Sequence, residues 1–431
     1  MKISIKLKKV VAPFILLIAA QVTNAQQPFA INLESVLQLA GANNLTVKEY
    51  QLRYQQALAD QSKAREWWLP YVYAGYTTHY LNGAAMNTDG KIFTGVNRNN
   101  LWTGLGMAAE IDFGKGFYQS LAARQRAQSV SYFSVAEKNK AVLSAVHSYY
   151  DLQAAQLKYI FLKQLAEQSD TISQQIKIRV DAGLSYQSDY LLAQSNFKHI
   201  TISMLQAKSD WSKMSAELGS LLNLERNTKL LSADTVLAPL QLTRELNDTA
   251  GFQKRPEYLG LNAVLQSYMT SRKTINQGLL IPKLKVGFDN GSFGAYSAPL
   301  YNTYQLNASL LWNLPLGRLT YKGDIKQWNA QISLQQNSVA QFKNQYQQET
   351  ATAAAQVQIA NEQITIAKEG LQSASEALYQ STERQKLGTA KPFEVFQVQQ
   401  YFIQAQLDYI NAVSEYNKAQ YALFVATGNN L

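Results

Sequence analysis

The chain has 431 residues, no cysteine and a formal net charge of +10. The lack of cysteine excludes disulfides, thiolate metal sites, a cysteine nucleophile and a lipidated N-terminal cysteine. The basic excess is modest and is spread along the chain without blocks, so it gives no case for a nucleic-acid partner.

The chain begins with a stretch typical of a secretory signal. Four lysines precede an apolar run from Val10 to Ala20, and the small residues Thr23 and Ala25 follow. This pattern predicts a signal peptide over residues 1–25, whose removal leaves 36 basic against 30 acidic residues. A membrane anchor is the competing interpretation, but about 11 apolar residues are too few for the roughly 20 that span a bilayer. No later segment offers about 18 consecutive apolar residues, which excludes a helical membrane protein.

Proline positions leave room for two very long helices. None lies between Tyr71 and Ala238, or between Leu316 and Lys391, and proline breaks helix interiors. The Ala, Gln, Leu, Lys and Ser content of both gaps favours helix. We predict helices over residues 115–182 and 320–387, each on the order of 100 Å long at 1.5 Å per residue.

The sequence also repeats one plan twice. AGLSYQSDYLLAQ, around Gly183, follows the same pattern as LGTAKPFEVFQVQ, around Gly388, at an offset of 205 residues. LPYVYAGY at 69–76 likewise matches IPKLKVGF at 281–288. We therefore predict a first repeat over residues 26–225, an inter-repeat segment over 226–254 and a second repeat over 255–431. Each repeat is expected to hold a short helix, a β-hairpin (71–112 and 283–312), a long helix, a tip turn and a final helix (187–224 and 391–426).

Apolar and small residues at alternating steps of three and four mark a coiled-coil seam in each of these helices. The four predicted seams are Leu152, Ala155, Tyr159, Leu162, Ala166, Ser169 and Ser173; Phe197, Ile200, Met204, Ala207, Trp211, Met214 and Leu218; Val357, Ala360, Ile364, Ala367, Leu371, Ala374 and Leu378; and Phe402, Ala405, Tyr409, Ala412, Tyr416, Ala419 and Leu423. Each repeat thus forms a helical hairpin that reverses at Gly183 or Gly388, where glycine can adopt a positive φ.

Four short segments alternate apolar and polar residues, as β-strands do. In the clearest, Tyr304, Leu306 and Leu310 share one face with Trp312. The strands form two hairpins, with polar loops expected near residues 81–100 and 291–303. A membrane sheet with its apolar face to lipid is one interpretation, and a small soluble sheet packed on a core is the other.

Tryptophans favour the membrane interpretation, because Trp67 and Trp68 precede the first strand and Trp312 follows the last, where a membrane-interface girdle is expected. A sheet in lipid must have no free edge, since lipid offers no hydrogen bonds to the backbone. Four strands are too few to close, whereas three copies supply about twelve. The pattern therefore predicts association.

These features resemble the TolC-like outer-membrane efflux proteins, also called outer membrane factors. The resemblance rests on INLESVLQLAGANNLTV at 31–47, on Pro70 and Pro282 before the hairpins, and on the AGL and LGT turns. The order of these elements along the chain, and the fact that the prolines and turns each occur twice, make the match specific. It covers essentially the mature chain. It implies a mainly α fold with a small β part, in a homotrimer with an outer-membrane β-barrel of twelve shared strands, a long periplasmic α-barrel and an equatorial belt.

The resemblance also implies partners and site residues. In that family the hairpin tips meet a periplasmic adaptor, which couples the duct to an inner-membrane transporter. The corresponding tip residues are Val180, Ala182, Gly183, Leu184, Leu387, Gly388 and Thr389. The family carries two acidic residues just after the second tip, at the constricted periplasmic entrance. Glu394 occupies the first place, but Gln397 stands at the second, which predicts a thinner ring of acids at the entrance and weaker cation selectivity.

Glu394 has a simpler interpretation, which it shares with Asp189. Each carboxylate falls in the first turn of a helix, where it favours the helix dipole and caps free amides without further function. Both interpretations stay open at this point. The three histidines, His79, His147 and His199, lack metal-ligand spacing, and no catalytic or cofactor-binding motif is found.

The sequence therefore predicts a passive outer-membrane channel of a Gram-negative bacterium, which works in tripartite efflux or type I secretion. The main alternative is a soluble periplasmic coiled-coil scaffold or adaptor without a pore. A secreted enzyme is a more distant one.

Overall fold

The computed structural model describes residues 29–225, 228–242, 251–296, 299–313 and 315–431, so the predicted signal peptide over residues 1–25 lies outside the described ranges. The protein is mainly helical with a small β part, which confirms the predicted fold class. None of the helices in these ranges is long and apolar enough to cross a bilayer. In chain order the elements are β1 (Phe29–Ile31), α1 (Leu33–Asn43), α2 (Leu45–Lys63), a 3₁₀ turn (Glu66–Trp68), β2 (Tyr71–Met86), β3 (Ile92–Asp112), α3 (Phe113–Asp181), α4 (Gln187–Leu221), β4 (Leu230–Ser232), a 3₁₀ turn (Gly251–Lys254), α5 (Pro256–Asn276), a 3₁₀ turn (Gly278–Leu280), β5 (Lys283–Gly294), β6 (Tyr301–Leu311), α6 (Leu316–Tyr321), α7 (Gly323–Lys386) and α8 (Pro392–Ala426).

The longest helices are α3, with 69 residues, and α7, with 64. Their bounds lie close to the predicted 115–182 and 320–387. α7 begins three residues later than expected, because Lys322 adopts a left-handed φ of 53° that separates the short α6 from it. A non-glycine residue in that conformation interrupts the helical hydrogen-bond ladder.

The first hairpin is longer than the sequence indicates. β2 continues to Met86 and β3 starts at Ile92, so the loop expected over residues 81–100 is wrong for most of its length. Polar residues continue the ladder there, with Asn82 opposite Asn97. The reason is physical, since strand pairing uses backbone groups and does not require apolar side chains.

The chain divides into two compact units. The first contains the described residues within 1–48, 138–248 and 348–431, and the second those within 49–137 and 249–347. Each unit takes segments from both predicted repeats, because α3 and α7 contribute residues to each. The second unit contains the four-stranded sheet, in the order β2-β3-β5-β6.

The core of the first unit joins α1 to the middle of α3 and the end of α4. β1 and β4 form a parallel pair in this unit, and Gln156 holds it by accepting the Ser232 N–H at 2.8 Å and donating to the Ser232 carbonyl at 3.2 Å. The buried apolar residues of this core are Ile31, Val36, Ala40, Val142, Ala145, Val146, Tyr149, Tyr150, Leu152, Leu218, Leu222, Leu230 and Tyr421.

The predicted heptad seams form the packing faces of the four long helices. None of their 28 members is exposed, and Ala360 and Ile364 of α7 pack with Val413 and Tyr416 of α8. Tyr159 of α3 stacks on Trp211 of α4, with ring centroids 5.6 Å apart. The coiled-coil prediction is therefore confirmed within the described residues.

Candidate functional site

Both helical hairpins turn through the same arrangement. Gly183 follows α3 with a φ of 71°, and Gly388 follows α7 with a φ of 76°. The amide of Leu184 donates to the carbonyl five residues earlier at 2.7 Å, and that of Thr389 does so at 2.9 Å. This Schellman motif satisfies the last carbonyls of each helix. A Cβ on either glycine would meet no atom within 4 Å, so the requirement for glycine comes from φ alone.

The far ends of these hairpins keep the same offset. Asn223 lies two residues after the end of α4, with a φ of 50°, and Gly428 lies two residues after the end of α8, with a φ of 91°. These positions are again 205 residues apart. Asparagine tolerates the left-handed region better than other non-glycine residues, so the two repeats end their helices by one mechanism with different residues.

The tip residues differ in exposure. Leu184 and Leu387 project most, with 72% and 79% of their surface exposed, and Ala182, Gly183, Gly388 and Thr389 are also exposed. Val180 does not fit the prediction as well, because it is partly buried and packs against the cluster of Ile176, Ala193 and Phe396.

Sequence reasoning missed other exposed apolar side chains near the turns. Tyr186 is 81% exposed, Ile178 68% and Phe393 58%. Their signal was available, because each is an apolar residue that lies outside the heptad seams. Together with Leu184 and Leu387 they give both turns an apolar surface, of the kind that marks protein contacts.

The two predicted entrance residues lie one turn apart near the start of α8, and both are exposed. Glu394 Oε2 is 3.8 Å from Nη2 of Arg384, in the last turn of α7. The two side chains are about half exposed, so the pair contributes at most about 1 kcal/mol to stability. The structure thus places the positively charged side chain of Arg384 beside the predicted acid, a feature that sequence reasoning missed. Gln397 adds no charge.

Asp189 occupies the place in α4 that Glu394 has in α8. Its carboxylate accepts the backbone N–H of Tyr186 at 3.3 Å, which agrees with the capping interpretation. Glu394 instead forms the ion pair with Arg384, so equivalent carboxylates in the two repeats have different partners.

A buried polar layer lies between α3, α4 and α8. Asn196 Nδ2 donates to Gln399 Oε1 at 2.8 Å and lies 3.5 Å from Ser169 Oγ. All three side chains are at most 7% exposed. Asn196 Oδ1 has no hydrogen-bond partner among the described residues. Apolar clusters lie along the chain on both sides of this layer, one around Ile176 and one around Ile200.

In the second unit, one face of the sheet is apolar and exposed. Residues directly opposite each other in neighbouring strands share a face, and the register aligns one row across all four strands: Val72, Met107, Phe288 and Leu306. These side chains are 72%, 44%, 40% and 71% exposed. A contiguous apolar surface of this kind indicates contact with a partner or with lipid.

The opposite face of the sheet is polar. Lys283 Nζ lies 3.1 Å from Asp112 and 3.6 Å from Glu110, and Lys285 Nζ lies 3.3 Å from Glu110. Further along, the Tyr73 hydroxyl donates to the Asp289 carboxylate. Within the ranges that the structure describes, charged pairs therefore bridge β3 and β5 on this face and not on the apolar one.

Both outer strands of the sheet have an open edge. β2 pairs only with β3, and β6 pairs only with β5, within the ranges that the structure describes. These edges are 16 and 11 residues long. Each leaves a row of unpaired backbone donors and acceptors, which proteins normally cover or pair.

The three predicted interface tryptophans do not behave alike. Trp68 and Trp312 are 53% and 58% exposed. Trp67 instead packs edge-on against Phe113, with centroids 5.9 Å apart, and its ring lies where a Cβ on Gly116 would be placed. Trp67 therefore contributes to packing at the start of α3.

His147 faces a groove of about 370 Å³ in the first unit, lined by residues of α7 and α8. Lys418 lies in the same groove and pairs with Asp151 at 2.7 Å and Glu415 at 2.6 Å. Burial, together with the charge of Lys418, lowers the pKa of His147 below its usual value. The other two histidines, His79 and His199, are exposed on β2 and α4.

The family model described as outer membrane efflux protein matches residues 36–224 and 259–429. These two segments cover most of the chain, and their separation confirms the internal repeat. No curated protein matches the chain.

Solved structures share the fold. A membrane protein from Pseudomonas aeruginosa is 16% identical with a TM-score of 0.78, over 92% of this chain and 93% of that one. The CmeC outer membrane channel of Campylobacter jejuni is 18% identical with a TM-score of 0.71, over 92% and 85%. The outer membrane protein VceC of Vibrio cholerae is 14% identical with a TM-score of 0.74, over 92% and 96%. At these identities the likeness is one of fold.

Proposed function

Since the family match covers most of its length, the chain belongs to the outer membrane efflux protein family, and we propose that three copies form the passive exit duct of an efflux or secretion system. The observation that supports the proposed trimer is the four-stranded sheet, with its exposed apolar face and two open edges. The fold and the family both agree with an outer-membrane location that extends into the periplasm.

The sheet supports assembly by an argument from hydrogen bonding. In lipid, the unpaired backbone groups of β2 and β6 have no water to bond, so each edge must meet another strand. Joining β6 of one copy to β2 of the next, three times, gives a closed barrel of twelve strands. The row through Val72 and Leu306 then faces lipid, and the ion pairs around Lys283 line the interior.

The helical hairpins of the first unit supply the periplasmic part. We propose that their turns contact a periplasmic adaptor through the exposed apolar residues Leu184, Tyr186, Leu387 and Phe393. The adaptor in turn couples the duct to an inner-membrane transporter, which provides the energy. The proposal assigns no enzymatic activity and no cofactor to this chain.

The entrance is proposed to lie at the start of α8. In a narrow ring, three copies of Glu394 would select cations. Arg384 lies beside each Glu394 and Gln397 is uncharged, so we expect the net charge of this ring to be small.

A matched pair of sheet variants tests this function. Leu306 and Gln305 are neighbours in β6 on opposite faces. Arginine on a lipid-facing position near the midplane costs about 2–4 kcal/mol, whereas a position in the lumen tolerates it. We expect Leu306→Arg to reduce the heat-sensitive trimer in outer-membrane extracts severalfold, and Gln305→Arg to leave it near the wild-type level.

The wild-type chain should also form ion-conducting pores in planar bilayers. Equal effects of the two arginine variants would contradict the orientation of the sheet. Recovery of the wild-type chain as a soluble monomer would contradict the channel itself and favour a soluble scaffold. The exposed apolar row through Val72 and Leu306 argues against that scaffold, since a soluble sheet would cover it.

A further inference from the structure

The second unit holds the positive excess of the chain beyond the predicted signal peptide. It has 18 basic and 10 acidic residues, whereas the first unit has 18 basic and 20 acidic residues after residue 25. Residues 71–112 and 283–311, which contain the sheet, are balanced, with four residues of each sign. The excess therefore lies in the helical segments beside the sheet.

Four cations lie where the helices of the second repeat approach the sheet. Arg272 Nη1 of α5 donates to Asn329 Oδ1 of α7 at 2.8 Å, which joins the two helices. Lys326 is three residues before Asn329, so both lie on one face of α7. Lys322 comes just before α7 begins, and Lys273 is next to Arg272; both lysines are exposed, as is Lys326. We call Arg272, Lys273, Lys322 and Lys326 the junction patch.

Acidic side chains do not neutralise this patch. Within the ranges that the structure describes, none of its four side chains forms an ion pair. The described partner of Arg272 is the uncharged amide of Asn329. Asp324 stands between the two lysines in sequence, but it points about 160° away from Lys326 around the helix. The patch therefore presents positive charge that is available to a partner.

The first repeat connects its helices to the sheet without these cations. The corresponding positions, at the offsets of 212 residues for the hairpins and 205 for the long helices, are Asp60, Gln61, Phe117 and Leu121. A junction of this kind thus forms without basic residues at these places. Folding alone does not account for the patch, which favours a binding role.

Exposed apolar side chains lie between the patch and the sheet. Leu280, Leu316 and Tyr321 are 76%, 73% and 82% exposed. Tyr321 directly precedes Lys322, and Leu280 follows Lys273 by seven residues, on the order of 10 Å at the rise of a helix. Apolar and aromatic residues that give way to lysine and arginine are typical of a membrane interface.

We propose that the junction patch binds the phosphate groups of anionic phospholipids in the periplasmic leaflet of the outer membrane. The inference rests on the membrane-embedded sheet proposed above, which places Leu280 and Tyr321 at the acyl chains. The headgroup layer is about 5–8 Å thick on each side of a bilayer, and lysine and arginine side chains extend toward it from the helices. The bond to Asn329 orients the Arg272 guanidinium, whose Nη2 can donate to a phosphate oxygen.

The charge of the patch gives a preference among lipids. Each cation close to an anionic membrane surface contributes about fivefold to binding. Three copies around the proposed duct bring three such patches to the same leaflet. Anionic lipid should therefore collect next to the second-repeat junctions, and the preference should weaken as salt screens it.

Two exposed tryptophans report on the two junctions separately. Trp312 lies between the sheet and the patch in the second repeat, and Trp68 lies at the first-repeat junction, which lacks the patch. The Trp68→Phe and Trp312→Phe variants each leave one of them. The full-length trimer is reconstituted in mixtures of phosphatidylcholine and phosphatidylglycerol in which one lipid is brominated on its acyl chains, and bromine quenches nearby tryptophan. We expect the relative affinity for phosphatidylglycerol to be at least tenfold at Trp312 and less than twofold at Trp68.

Charge-neutralising variants identify the residues responsible. Lys273→Gln combined with Lys326→Gln should lower the relative affinity at Trp312 at least fivefold, because two cations of the patch are lost. The matched control is Lys63→Gln combined with Arg65→Gln, which removes two exposed cations from the first-repeat junction. This control should leave the preference at Trp312 unchanged. Quenching by brominated phosphatidylcholine alone, which should be equal in all variants, verifies that each is inserted.

The outcomes separate this inference from the proposed function. Quenching of Trp312 without a preference between the two lipids would overturn the patch and leave the duct in place, as would a preference that survives the double variant. Stronger displacement of phosphatidylglycerol by inorganic phosphate than by chloride at equal ionic strength would assign the patch to free phosphate and overturn the lipid assignment. Absence of quenching at both tryptophans by either lipid would reject the membrane-embedded sheet, and with it the proposed function.

Discussion

Removing one member of the buried polar layer is expected to loosen the hairpins near their turns. Asn196→Ala takes away the donor of the 2.8 Å bond to Gln399 and leaves a buried acceptor without a partner. Such a loss costs about 1–3 kcal/mol. Replacing Asn196 and Gln399 together by leucine removes both polar groups, and also the Asn196 Oδ1 that lacks a described partner. The double variant should therefore be near neutral or more stable.

Hydrogen exchange measures this local opening in the assembled protein. A cost of about 2 kcal/mol raises the population of the open state roughly 30-fold, so amides of residues 190–200 and 395–403 should exchange that much faster in Asn196→Ala. Residues 142–150, in the separate core around Tyr149, serve as the internal reference. Gln400→Ala, at the exposed neighbouring position, is the control substitution.

Two results would refute the reasoning. The first is equal exchange in wild type and Asn196→Ala, which would mean that the bond to Gln399 contributes nothing. The second is a double leucine variant as open as the single alanine variant, because the loss would then come from packing and not from an unsatisfied acceptor.

Three further outcomes are expected. Gly388→Ala should destabilise the second turn by about 1–2 kcal/mol, because the φ of Gly388 is left-handed, and Gly388→Asn should destabilise it by less. Limited proteolysis at the turn measures the difference between the two variants. Equal cleavage of both would refute the argument from φ. Glu394→Gln should lower block of the pore by multivalent cations in planar bilayers, and Gln397→Glu should raise it. Unchanged block in both variants would contradict the placement of these residues at the entrance. The lowered pKa of His147 means that the folded protein holds fewer protons than the unfolded chain, so its contribution to stability is present above about pH 6.5 and is lost as pH falls through the lower folded value. Melting between pH 7.5 and 5 should therefore be less pH-dependent in His147→Gln than in wild type or His199→Gln, and identical profiles would count against this account.

Much of the fold could be predicted because it depends on regular spacing. The heptad steps through Ala360 and Ile200 identify the faces that pack, and the positive φ at Gly183 and Gly388 follows from the reversal of a long helix. The ends of the strands were harder to predict from sequence, since β2 and β3 continue through polar residues by backbone pairing alone. The break before α7 at Lys322 has no sequence signal in its residue type.

The candidate site could be predicted only in part from the sequence. Glu394 and Gln397 were identified through family resemblance, but the partner of Glu394, Arg384, lies on another helix. The layer of Asn196 and Gln399 joins residues 203 positions apart in the chain. Spacing along one segment carries no information on such pairs.

The sequence by itself determined the approximate positions of the long helices, the strands and the two tip turns, because their spacing signals depend on neighbours within a few positions. Its two matching halves also showed that the plan occurs twice. Only the tertiary structure decided which predicted site residues project and which, like Val180 and Trp67, are used in packing. It also decided that one face of the sheet is exposed along its full width. These outcomes depend on which segments meet in space, and contacts between distant segments leave no periodic trace in the chain.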